Sequence, residues 1–205
     1  MSAADTLRTL FVWTPWLLGG FMWNIVISLT AQTIGTGVGY GLARCRISPH
    51  ATLNRAATLT TALMRNTPTF VFQFYLVFML PGTLTMPLAS APLAFPSWLK
   101  AALALSLAVA GFTSDNVTDA LTRHNGKKRE ALTRSLPVWG AYFVIIVMAS
   151  SSASVIGVSE LVSRCNTVIN ASGATDMMLW VYLYAMGWFF MFCYCATALI
   201  RFVSR

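Results

Sequence analysis

Asp115 is the carboxylate of this sequence that most invites chemistry. It lies near the end of an apolar run from about Trp98 to Val117. An ionisable group inside such a run is costly and marks a pathway or an ion pair. Two readings are open: a group in a solute path, or a cap beside the basic loop that follows, paired with Arg123. Further on, Ser150, Ser151, Ser152 and Ser154 close a second apolar run. Their hydroxyls can face a zwitterionic solute, or their small size can let helices pack closely. Gln73 and Tyr75, in a short aromatic run, are candidate cavity liners. Asp119 reads as a solvated charge at the loop edge, and His50, one of 2 histidines, as a surface side chain. No nucleophile–base pair or metal cluster stands out. The alternating glycines Gly35–Gly41 lack the Lys-Ser/Thr that would follow in a Walker loop. Cys45, Cys165, Cys193 and Cys195 have no metal-ligand spacing and read as small packing residues. The expectation is a chain with no catalytic residue, no metal and no cofactor of its own.

The elements that must position these residues are set by composition. Hydrophobic residues make up 57% and charged residues 10% of the sequence, against about 25% charged in soluble domains. The mean hydropathy is +0.66. Several runs reach the roughly 18 apolar residues that mark a transmembrane candidate. In hydrocarbon every backbone polar group must be bonded internally, so these runs are expected to be helices. They also lack the alternation of a barrel. The fold class is therefore an all-α polytopic membrane protein of a single domain, 1–205. About five spans are expected, at 17–43, 62–80, 98–117, 137–156 and 177–200, with a charged loop at 118–136. Residues 1–16 read as an interfacial lead-in carrying Trp13 and Trp16. Ser48–Met64 is expected at the membrane surface, 83–97 as an uncharged Pro-rich connection, and 157–176 as a polar segment in which Asn170-Ala171-Ser172 weakly matches a glycosylation sequon.

Within the first span, Gly35, Gly37, Gly39 and Gly41 suit close approach of another helix. Asn24, Ser28, Gln32 and Thr36 share one face at i, i+4 spacing, which should meet protein or a water-filled cavity rather than lipid. Trp180, Tyr184, Trp188 and Phe192 form a stripe in the fifth span that reads as packed or lipid-facing. The formal charge of +8 does not point to nucleic acid, because the basic residues sit in short loops between spans. With the carboxyl terminus in the cytoplasm, all but Arg8, Lys100 and Arg164 of the 14 basic residues fall on that side. The bias places the amino terminus outside.

Ordered local motifs along nearly the whole chain resemble the permease subunits of polar amino-acid ABC importers. Arg65-Asn66-Thr67-Pro68, followed by Leu80-Pro81, is similar to that family's Arg-Gly-Thr-Pro opening and Leu-Pro end of the second helix. Leu105-Ser106-Leu107, Gly111-Phe112 and Asp115 resemble its third helix, which carries a glutamate. Ser151 and Ser154-Val155-Ile156-Gly157-Val158-Ser159-Glu160-Leu161 resemble its Thr-Ser-Leu…Ser-Val-Ile-Gly-Val-Pro-Glu-Leu signature, with Ser159 in place of proline. The chain departs from the family at Thr118, where a basic residue is usual, and at Met148 and Ala149, where a Lys-Asp pair is usual. Of the coupling segment only Glu130-Ala131-Leu132 remains; Leu136 replaces its glycine and Pro137 starts the next span.

The resemblance implies a multi-pass protein of a bacterial inner (plasma) membrane that imports amino acids or related polar solutes by alternating access. Lys127, Lys128, Arg129, Glu130, Ala131 and Arg134 would form the ATPase-coupling loop, and Asp115, Gln73, Ser150 and Ser151 the solute pathway. ATP and Mg would be held by separate cytoplasmic ATPase subunits. A second permease subunit, forming a heterodimer, and an external solute-binding protein would complete the assembly. From Arg123 to Leu136 there is room for about three helical turns, so one short helix can form there but not the usual two-part coupling element. That loss also suits a second reading, a permease-like adaptor that no longer forms the transport path.

Overall fold

The computed structural model describes residues 3–84, 93–123, 128–173 and 177–203, and it is almost wholly helical. The first helix, α1 (Ala3–Arg46), is continuous through Pro15. The expected lead-in 1–16 is, from Ala3 on, part of this helix. Leu10, Leu17 and Phe21 are buried against Leu161, Cys165, Val168 and Met177, with Trp13 alongside, so α1 is held by tertiary packing from Leu10 onward. Proline is tolerated in a membrane helix where neighbouring groups supply replacement bonds. The carbonyl Pro15 leaves without a helical donor is that of Phe11; nearby, Thr14 Oγ1 bonds the Leu10 carbonyl at 2.8 Å and Arg164 donates to the Trp16 carbonyl.

The expected second span is not one helix. The chain forms α2 (Ala51–Asn66) and α3 (Thr69–Met79), separated at Thr67-Pro68. Proline lacks an N–H and forces the residue before it out of the helical region; Thr67 has φ −91° and ψ 128°. At 11 residues α3 is too short to cross alone. Nor does α2 lie apart as a surface segment. Thr61 meets Ser114, Arg65 crosses Gly111, and Leu80, just beyond α3, meets Lys100. The two helices thus run in succession antiparallel to α4 (Ser97–Arg123). Before α4, β1 (Thr83–Leu84) and β2 (Leu93–Ala94) pair in a short antiparallel hairpin.

The 118–136 loop is also shorter than expected, because α4 continues to Arg123 and α5 (Lys128–Ala149) begins at Lys128 with Pro137 inside it. Lys127 lies outside the described residues. Lys128, Arg129, Glu130, Ala131 and Arg134 occupy the first turns of α5, and their side chains, like that of Arg123, lie outside the described ones. No separate coupling helix stands between α4 and α5 among the described residues. The fourth crossing ends in a 3-10 helix, Ser150–Ile156, closed by Gly157 at φ 84°. The polar segment after it folds as α6 (Leu161–Ser172), and the last crossing is α7 (Met177–Val203).

The centre of the bundle is the α1–α4 seam. A Cβ at Gly35 would come within 2.5 Å of Val109 Cβ and 2.6 Å of the Ser106 carbonyl oxygen, and one at Gly39 within 2.5 Å of the Ala110 carbonyl oxygen. Gly37 and Gly41 meet nothing within 4 Å. The helices therefore touch backbone to backbone through the glycines four apart, and run parallel. Ile27, Ala31, Leu105, Val109, Ile146 and Ile156 fill the space beside them. Among the described residues four helices are long and apolar enough to cross a membrane, with α2 and α3 in succession beside α4, so the chain is a multi-pass membrane protein.

Candidate solute groove and its charged wall

Three helices converge on Asp115. Arg46, in the last turn of α1, donates to Asp115 Oδ1 at 2.5 Å and to Ser114 Oγ at 3.2 Å. Arg65, in the last turn of α2, donates to Asp115 Oδ2. The Thr61 and Ser114 hydroxyls bond at 2.9 Å beside them. Arg65 reaches the carboxylate because its stem crosses Gly111, where a Cβ would sit 2.8 Å from Arg65 Cγ. The side chains of Arg46 and Asp115 are 18% and 29% exposed and that of Arg65 59%, so the Arg46 pair is the better shielded from water and salt. Asp115 is thus an ion-pair partner of Arg46 and Arg65. Its expected cap, Arg123, has a side chain outside the described ones. In the sequence Arg46 read only as a topology charge and Arg65 as that and the first residue of the Arg65-Asn66-Thr67-Pro68 motif; their places in the last turns of α1 and α2 were the overlooked signal.

Beside this cluster the Thr67-Pro68 break leaves a groove of about 560 Å3, walled by Arg65, Thr67, Thr69, Asp115, Asn116 and Tyr142. Phe112 and Tyr142 stack with ring centroids 3.8 Å apart and planes 3° from parallel, and the Tyr142 hydroxyl donates to the Ala108 carbonyl. A second cavity of about 220 Å3 lies across the ion pair, among Arg46, Thr58, Thr61, Arg65 and Asn66. The Arg65–Asp115 pair lines both spaces. A guanidinium, a carboxylate and an aromatic wall in one groove can hold a small molecule bearing both charges.

The other candidates lie elsewhere. Gln73 is fully buried and accepts a hydrogen bond from Ser152 at 2.8 Å; its Nε2 has no partner among the described residues. Ser150 donates to the Val147 carbonyl and Ser151 to that of Met148. These hydroxyls serve the 3-10 helix, whose tighter turns set each three residues from its acceptor. No described contact joins Asp115 to Gln73 or to the serines.

A second polar knot was missed in the sequence. Glu160 is fully buried and caps α6, accepting from the Val162 and Ser163 amides at 3.0 and 2.9 Å. Asn24 bridges three elements: its Nδ2 donates to Glu160 Oε2 and Ser150 Oγ, both at 2.9 Å, and its Oδ1 accepts from the Leu161 amide. The polar stripe of α1 thus meets protein at Asn24 and Ser28, both fully buried. Burial pushes the Glu160 carboxyl above its ordinary range, against the pull of the Val162 amide, the Asn24 side chain and the Ser163 amide. The visible signal was a polar residue immediately before Leu161, Cys165 and Val168, an apolar stripe at helical spacing. Burial also raises the Cys165 thiol to about 12, with the Glu160 charge adding to the effect, so it stays protonated and unreactive. Among the described residues no group of His, Cys, Asp and Glu gathers as a metal ion would require.

No protein-family model and no curated protein matches the chain. A solved structure described as the crystal structure of an amino acid ABC transporter with histidines superposes on it with a TM-score of 0.83, over 100% of this chain and 99% of that one, at 17% sequence identity. At that identity the likeness establishes the fold. The chain shares the fold of that structure from end to end.

Proposed function

We propose that the chain is the permease subunit of an ABC-type importer for amino acids or related polar solutes. The observation that carries this reading is the superposition over both whole chains, joined to a groove whose wall is an ion pair between separate helices. In this reading the solute carboxylate engages Arg65 while its ammonium faces Asp115 and the Phe112–Tyr142 rings, an arrangement favoured by cation–π attraction. The solute competes with the Arg65–Asp115 bond, so occupancy loosens the tie between α2 and α4 and is coupled to their separation. Closure and opening are driven by ATPase subunits, which hold ATP and Mg; the chain itself makes and breaks no covalent bond. An external binding protein delivers solute, and a second permease subunit completes a heterodimer in the bacterial inner membrane, with the amino terminus outside.

The test is uptake of labelled amino acids by vesicles holding the native complex with ATP inside. Uptake lost on deleting this chain, and cut at least tenfold in Arg65→Gln while the complex still assembles, is the expected result. An assembled complex that transports equally well with Arg65→Gln and Asp115→Asn removes the groove from the path. The adaptor reading draws on one observation: α5 runs unbroken from Lys128 into the bundle, with no separate coupling helix described. It predicts that binding-protein-stimulated ATP hydrolysis is unchanged by Arg129→Glu with Glu130→Arg.

A further inference from the structure

The groove beside Asp115 carries a charge imbalance that bears on what can enter it. Two guanidiniums, those of Arg46 and Arg65, share the single carboxylate of Asp115, so the cluster keeps a surplus positive charge. Among the described residues no other charged side chain lines the groove or the smaller cavity across the ion pair; Asp119, one turn further along α4, lines neither. The helix ends at the groove do not cancel the surplus. The negative end of α2 and the positive end of α3 meet at the Thr67-Pro68 break, so their partial charges oppose each other there.

The unspent hydrogen-bonding groups point the same way. Asp115 is engaged on both oxygens, Oδ1 by Arg46 and Oδ2 by Arg65, so the acceptor a cationic side chain would need is already taken. Arg65 spends only Nη1 on that bond. A guanidinium carries five N–H donors, and Nε and Nη2 of Arg65 have no partner among the described residues. Nor have the Thr67 and Thr69 hydroxyls on the same wall. Asn116 Nδ2 and the Tyr142 hydroxyl, by contrast, donate to the Phe112 and Ala108 carbonyls. The free donors thus gather at Arg65 and the proline break.

We propose that the groove takes an amino acid with an acidic side chain, of the glutamate or aspartate class. The inference rests on reading the groove as the solute site and adds its charge preference. One carboxylate pairs with the open edge of Arg65, a charge-assisted and bidentate geometry. The other meets the Thr67 and Thr69 hydroxyls, and the ammonium faces Asp115 and the Phe112–Tyr142 rings. Such a solute brings one net negative charge and balances the cluster. A neutral amino acid leaves the surplus in place, and a basic one adds a like charge to it.

The experiment is equilibrium binding of labelled glutamate, glutamine and lysine to the native complex of membrane and ATPase subunits in detergent. The external binding protein is left out, so that the membrane site alone selects. The Kd for glutamate should lie at least about tenfold below that for glutamine, and lysine should not compete. Arg46→Gln removes the surplus charge without removing a wall of the groove. It should bring the glutamate and glutamine Kd values within about threefold of each other, and Arg46→Lys should restore the gap. A merely structural role for Arg46 would weaken both solutes alike. Glutamine held as tightly as glutamate by the wild type, or a ratio unmoved by Arg46→Gln, would overturn the charge preference and leave the permease reading standing. Absence of glutamate binding would overturn it too, and the vesicle uptake assay then judges the permease reading separately.

Discussion

Asp115 neutralises one of two arginines, and its removal leaves two like charges facing each other. Asp115→Asn should therefore lower stability by about 1–3 kcal/mol, the cost falling mainly on the better shielded Arg46. Arg65→Gln, at a more exposed partner, should cost less than about 1 kcal/mol. Denaturant midpoints in detergent would separate the two; equal losses would mean that the Arg46 bond contributes little. Glu160 gives a pH test with a definite sign. Its folded-state carboxyl lies above the ordinary value, so its contribution is complete below the unfolded value and declines as pH rises through the folded one. Stability should fall over that window, and Glu160→Gln should flatten the slope. Of these two knots, the sequence displayed Asp115 because a charge in an apolar run is conspicuous. Glu160 was hidden because it stands in the polar segment 157–176, where a solvated charge is the ordinary outcome. Its burial arises from Asn24, more than a hundred positions away, and local pattern carries no information about such a partner.

At the level of elements, the glycine spacing of α1 separates contact from mere tolerance. Gly39→Ala drives a methyl group into the Ala110 backbone and should cost about 1–3 kcal/mol through forced separation of α1 and α4. Gly37→Ala meets open space and should leave stability unchanged or raise it by up to about 1 kcal/mol, since alanine is the better helix former. Thermal melting of the two variants side by side decides this; matching losses would contradict the packing. The i, i+4 rule made this seam legible beforehand, as it did the polar face carrying Asn24 and Ser28. The division of the second crossing was less legible. Pro68 was in plain view, but an apolar aromatic run from Phe70 to Leu80 looks continuous when weighed by hydropathy alone. The restriction a proline puts on the residue before it is a backbone effect that such averages ignore. The packing of α1 around Leu10 was likewise hidden, since it depends on Leu161, Cys165, Val168 and Met177 of α6 and α7, which lie far along the chain.

For the whole molecule, α1 and α4 lie parallel in close backbone contact, while α2 and α3 are parted by a proline break and tied to α4 by the Arg65–Asp115 ion pair. Relative motion should therefore concentrate at Thr67-Pro68. A double-cysteine crosslink between α1 and α4 should leave uptake within about twofold of the untreated complex. One between positions 61 and 114, tying α2 to α4, should abolish it. Transport surviving the second crosslink would show that these helices need not separate.

The unbroken first helix has one more consequence. Residues 9–43 carry no charge, and as helix they extend about 52 Å, while the hydrocarbon of a bilayer is about 30 Å thick. Such a mismatch is relieved by steep tilting, by projection of one end, or by local thickening of the lipid. Because α4 is fastened to α1 through glycine, tilt imposed on one is inherited by the other. Lipids of longer or shorter chain should therefore change the tilt of the α1–α4 pair without touching any of its polar groups.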